Sequence, residues 1–161
     1  MSNPTITTQI AKHLRDVYFG GNWATSNFKD SLADVTWQQA TTPVHSSNTI
    51  ATLIYHTGYY IQVQSKVLQG LPLVGKDSES FDHPAISSQK DWEQLLHKTF
   101  TDADAFANLI EQLPDSKLAE DFSDKKYGTY YRNLTGIIEH LHYHLGQIVL
   151  IKKIVQQGNK V

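Results

Sequence analysis

The chain has no cysteine among its 161 residues. A disulfide framework, a Cys-ligated zinc finger, an iron–sulfur cluster and a protein thiol nucleophile are all excluded on that ground. Charge is sparse and nearly balanced, with 14 basic and 16 acidic residues and a formal charge of −2. No basic footprint for nucleic acid is present, and no nucleic-acid partner is expected. No apolar run approaches the length that spans a bilayer, and the opening MSNPTITTQIAKHLRDV has no apolar signal core. A cytoplasmic protein without a membrane partner is the expectation. What is present, with 40% hydrophobic and 19% charged residues, is one domain's worth of chain over 1–161, long enough to bury a core. Eight histidines are the compositional excess, and three of them fall within five residues.

Apolar residues recur at helical spacing in four long stretches. The first is predicted to open at Asn3-Pro4, with Asn3 as N-cap, and to run through Ile6, Ile10, Leu14 and Val17 to Gly20-Gly21. Between Trp23 and Ala40 the pattern is mixed, and Trp23, Phe28, Leu32 and Val35 suggest one short helix. The second long stretch covers about Ser47 to Leu68 and ends at Gly70-Leu71-Pro72. Residues 71–87 are rich in Ser, Asp, Gly and Pro and form a long connection of the kind that covers sites. Ser88 with Asp91 resembles a capping box for a third helix through Trp92, Phe106 and Ile110 to Leu113-Pro114. A polar loop over 114–128 precedes the last helix, predicted from about Thr129 to Gln156. With no period-2 alternation and no fixed repeat, the fold class is all-α, a four-helix bundle.

Geometry separates the clustered histidines. At about 100° per residue, His140 and His144 share one helix face and His142 points nearly the opposite way. The shared face continues through Asn133, Ile137, Gln147, Ile148, Ile151 and Ile154, the stripe expected to face the core. Leu134, Ile138, Leu145 and Val149 form a second apolar stripe, expected in a dimer interface or under the segment after the first helix. Two imidazoles at i and i+4 can share one metal ion, although Leu141 stands where a zincin helix places its glutamate. His56, beside Leu53 and Tyr60, supplies a third ligand from the second long helix. Three neutral imidazoles hold a divalent ion and leave positions open for water or substrate. The competing reading makes His56 a hydrogen-bonded core histidine and the pair an accident of spacing. A dimetal-carboxylate bundle is ruled out, because Glu139 and His142 form the chain's one Glu-x-x-His and the second long helix has no acidic residue. His13, His45, His83 and His97 are expected to be surface or structural, with His83 in the loop that can lid a site. Asp30, Asp34 and Glu139 are candidate bases, and each is equally explained as a solvated helix charge.

In order and spacing, NTIATLIYHTGYY around His56, HLHYHLGQI with His140, His144, Gly146 and Gln147, and the aromatic and LADV entry before the second long helix resemble the DinB/YfiT-like superfamily. That resemblance implies a bundle in which His56, His140 and His144 bind one divalent metal, zinc or nickel, commonly in a homodimer. It implies a metal-dependent hydrolase, or a transferase that activates a low-molecular-weight thiol, acting on a small-molecule substrate. Gln147 falls on the glutamine after the pair, where it serves either as a hydrogen-bond partner to a ligand or in helix packing, packing being favoured. A non-catalytic metal or small-ligand binding bundle is the alternative function.

Overall fold

The computed structural model describes residues 3–158. Helix α1 spans Ile6–Phe19 and starts later than Asn3-Pro4 predicts, because Thr5 is its N-cap. The Thr5 hydroxyl accepts from the Thr8 amide at 3.2 Å. The free amides of Ile6 and Thr7 donate to the Asp115 carboxylate, each at 3.0 Å, so the second long loop completes the cap. Those bonds hold the Asp115 carboxyl below the usual carboxylate range.

The mixed segment forms two short helices, α2 (Phe28–Leu32) and α3 (Trp37–Thr41), capped by Asn27 and Thr36. Trp23, expected in a helix, is fully exposed in a turn. Helix α4 runs Ile50–Leu68 behind Thr49, starting three positions after the expected Ser47, and α5 runs Gln89–Glu111 behind Ser88. The Ser88 hydroxyl takes the Asp91 amide at 3.2 Å, while the Asp91 carboxylate takes the Ser87 amide at 3.0 Å. The reciprocal bond of a capping box is thus shifted by one residue. Helix α6 runs Tyr130–Gly158. Both expected loops carry 3-10 turns, Asp77–Phe81 in one, Asp115–Ala119 and Lys125–Tyr127 in the other. No β-strand occurs among the described residues.

Helix α1 packs on α5, α5 on α4, α4 on α6 and α6 on α1, closing a ring of four long helices around the core. Antiparallel pairing of α1 and α5 follows from their side chains: Phe19 meets Phe100 at 5.9 Å, and Arg15 reaches Asp104 at 2.9 Å and Glu111 at 2.7 Å. Helices α2 and α3 lie across the end of this ring. Trp92 of α5 is completely buried and donates its indole N–H to the Val35 carbonyl at 2.9 Å, tying the crossing segment to the bundle.

On α6 the core line is His144, Ile148, Ile151 and Val155, each buried, whereas Ile154 is 41% exposed. Ile154 was expected inside, but from His144 the helical steps i+4, i+7 and i+11 land on Val155 and carry Ile154 about 100° away. Leu134, Ile138 and Leu145 of the second stripe are also buried. Helix α6 packs there against this chain's own α1 and α2, and the Lys152 ammonium grips the Ser31 carbonyl at 2.8 Å. That stripe is covered from within the chain, in part by the segment after the first helix, the second of the two arrangements expected for it.

Candidate metal centre

Helix α4 places His56 on its α6-facing side, and α6 returns His140 and His144 one turn apart toward it. Their Nε2 atoms converge: His140 Nε2 lies 3.1 Å from that of His56 and 2.9 Å from that of His144. Among the described residues this is the group of three side chains whose donor atoms gather closely enough to hold a metal ion, all within 4.8 Å. His56 is 5% exposed and His144 7%, while His140 is half-buried.

The outer nitrogens fix the tautomers. His144 Nδ1 is 2.7 Å from Gln147 Oε1, a group that only accepts, so Nδ1 carries the proton and Nε2 a lone pair. His56 Nδ1 is 2.8 Å from Ser80 Oγ, whose own hydrogen goes to the Asp77 carbonyl at 2.6 Å. The Ser80 oxygen therefore accepts from His56, and that Nε2 too is a lone pair. At most one proton, on His140 Nε2, then serves three converging nitrogens. Such a set is electron-rich and suits a shared cation, with N–metal bonds of about 2.0–2.1 Å. Burial and the two neighbouring imidazoles push the His140 pKa down from 6.5 to about 4. Burial also lowers His56 and His144. All three imidazoles are thus neutral at neutral pH, the form that coordinates metal.

Aromatic rings wall the cluster. Phe81 stacks on His56 with centroids 4.3 Å apart, and Tyr60 stands edge-on to His56 and His140 at 5.1 and 5.2 Å. The Tyr60 hydroxyl donates to Asp77 Oδ1 at 2.5 Å, and burial, then that carboxylate, raise its pKa to about 12. Tyr60, Asp77, Ser80 and Phe81 were not singled out from the sequence. The signal that existed was the length of the 71–87 loop, which places three of them here.

The remaining candidates lie elsewhere. His142 faces α1, where its ring is 6.0 Å from that of His13. His83 sits at 3.2 Å from Thr52 Oγ1 and lines a separate groove between α4 and α5, so it does not lid the histidines. His45 and His97 are exposed. Asp34 pairs with Lys152 and accepts from Gln156 at 3.1 Å, and Asp30 accepts from Asn27 at 2.8 Å. Glu139 is exposed. None of these carboxylates reaches the cluster. Gln147, expected to serve packing before hydrogen bonding, is the acceptor for His144.

No described helix is long and apolar enough to cross a membrane. No curated protein and no solved structure matches the chain. A family model of the DinB superfamily does match, over residues 22–148, a span that takes in α2 to α5 and all three converging histidines. With that match over most of its length and an all-helical bundle around the histidines, the chain belongs to the DinB superfamily.

Proposed function

We propose that this protein is a metal-dependent enzyme that binds one divalent ion, zinc or nickel, through His56, His140 and His144. Its reaction is hydrolysis, or transfer to a low-molecular-weight thiol, on a small molecule. The observation that carries the proposal is the convergence of three Nε2 atoms, two of them deprotonated by the Ser80 and Gln147 contacts. The chemistry such an ion supplies is Lewis-acid activation, which lowers the pKa of a water or thiol and polarises a substrate oxygen.

The chain's own residues prepare that site. Ser80 and Gln147 orient two imidazoles, Phe81 and Tyr60 cover the ring of His56, and Tyr60 keeps its hydroxyl proton at neutral pH while donating it to the Asp77 carboxylate. With no cysteine present, a thiol for transfer has to arrive as a cosubstrate. Gln147→Leu is expected to lower metal affinity about 10–100-fold while the far-UV circular dichroism stays unchanged. Unaltered affinity would return Gln147 to packing alone.

Untagged protein prepared with zinc and nickel available is expected to carry about one metal per chain by elemental analysis. The metal should be released as the pH falls, because protons compete for the same Nε2 lone pairs. In the metal-free protein the sign is the same. His140 binds fewer protons folded than unfolded between pH 6.5 and about 4, so stability is full above that window and declines as the pH falls through it. Metal-dependent turnover of an ester or amide panel, or of an electrophile with added thiol, then separates the two reactions. Full occupancy without turnover in either panel assigns the protein to a metal carrier, and a metal-free preparation removes the metal reading.

A further inference from the structure

The seam between α4 and α6 continues beyond the histidines. His56, Tyr60 and Gln64 stand at successive turns of α4, and Asn133 lies two turns before His140 on α6. Gln64 and Asn133 line one cleft of about 330 Å³, walled by Tyr59, Tyr60, Tyr127 and Phe122. Tyr60 belongs to both places, lining the cleft and meeting the rings of His56 and His140. Tyr60 therefore stands between the cleft and the histidines.

Three side chains of the cleft, Gln64, Asn133 and Asp77, bring hydrogen-bond acceptors. Gln64 Oε1 is buried with no donor among the described residues. Asn133 spends its amide hydrogens on the carbonyls of Tyr127 at 3.0 Å and Thr129 at 2.9 Å, so a further partner of this side chain has to be a donor. Asp77 adds a carboxylate. The cation in the lining, Lys76, is an exposed side chain 3.6 Å from Glu79, so its charge is already matched. Tyr127 already draws a cation, with the Lys126 ammonium 4.9 Å from its ring centroid. Aromatic faces, unmatched acceptors and a carboxylate suit positive charge and repel an anion.

We propose that this cleft holds a cationic end of the substrate, the ammonium of a small primary or quaternary amine, while its other end lies at the histidine cluster. The second half rests on the metal-site function proposed above, whereas the first half rests on the cleft alone. The probes are choline, 3,3-dimethylbutan-1-ol, which has its shape without the charge, and 3,3-dimethylbutanoate, which has the opposite charge. Binding is measured by calorimetry on zinc-loaded and on chelated protein, with zinc content determined on the same samples.

In the chelated protein choline is expected to bind about fivefold or more tightly than the neutral alcohol, with the carboxylate weakest. Tyr127→Leu and Asp77→Asn should each reduce choline affinity about threefold and leave the alcohol nearly unchanged, with far-UV circular dichroism confirming the fold. Equal affinity for choline and the alcohol, tighter binding of the carboxylate, or no choline binding overturns the inference. Zinc retention without a choline preference sinks the ammonium cleft and spares the metal reading. A choline preference in protein that takes up no zinc does the reverse.

Discussion

His140→Ala is expected to lower metal affinity more than about a hundredfold, beyond the 10–100-fold typical of changes in the surrounding hydrogen bonds. His140 is the hub of the cluster, since its Nε2 lies 3.1 and 2.9 Å from those of His56 and His144. Removing any one of three ligands leaves two imidazoles and a solvent-open ion, so His56→Ala and His144→Ala should also emerge from dialysis without metal. His142→Ala should keep its metal, because that ring leans on His13 across α1 at 6.0 Å. Elemental analysis of the four variants, backed by competition with a chelator, reads the result. Loss of metal in His142→Ala with retention in His140→Ala would overturn the ligand assignment.

The largest stability effect is expected at Trp92. Its ring is wholly buried, and its N–H supplies the Val35 carbonyl at 2.9 Å. Trp92→Ala removes the ring's burial and leaves a cavity between α5 and the crossing segment, at a cost of about 3–5 kcal/mol. Against a typical total of about 5–15 kcal/mol, that brings a domain of this size close to unfolding at room temperature. Trp92→Phe keeps most of the apolar volume and leaves the Val35 carbonyl without its donor, which costs about 1–3 kcal/mol. Urea denaturation of chelated protein, followed by far-UV circular dichroism, measures both. A loss below about 1 kcal/mol for Trp92→Ala would show that the ring does not anchor the crossing segment.

Both effects bear on how this chain's structure is written in its sequence. Helix α5 was legible nearly to the residue, because Ser88 is a local cap and Trp92, Phe106 and Ile110 recur at the helical period. The start of α1 was not. Asn3-Pro4 is a sound local signal, yet the helix begins after Thr5, where the Asp115 carboxylate from a remote loop can take the Ile6 and Thr7 amides. The mixed segment failed for a similar reason. Two short helices each have their own cap, Asn27 and Thr36, and neither is long enough to show a period.

Residue order alone sets the apolar faces of the long helices, Ile154 excepted, and puts His140 and His144 on one of them. Those relations are local, set by 3.6 residues per turn whatever the helix packs against. It also singled out His56, since no other histidine occurs in α4. Ser80 on the outer nitrogen of His56, Asp77 on Tyr60 and a cleft opening toward Gln64 and Asn133 come from tertiary packing, whereas Gln147 reaches His144 one helical turn away, a local relation. Loop residues carry no period, and Ser80 meets His56 across 24 positions only because the 3-10 turn at Asp77–Phe81 docks on α4. His56 meets His140 across 84 positions because α4 and α6 close one side of the bundle ring, a pairing fixed by helix packing and not by spacing along the chain.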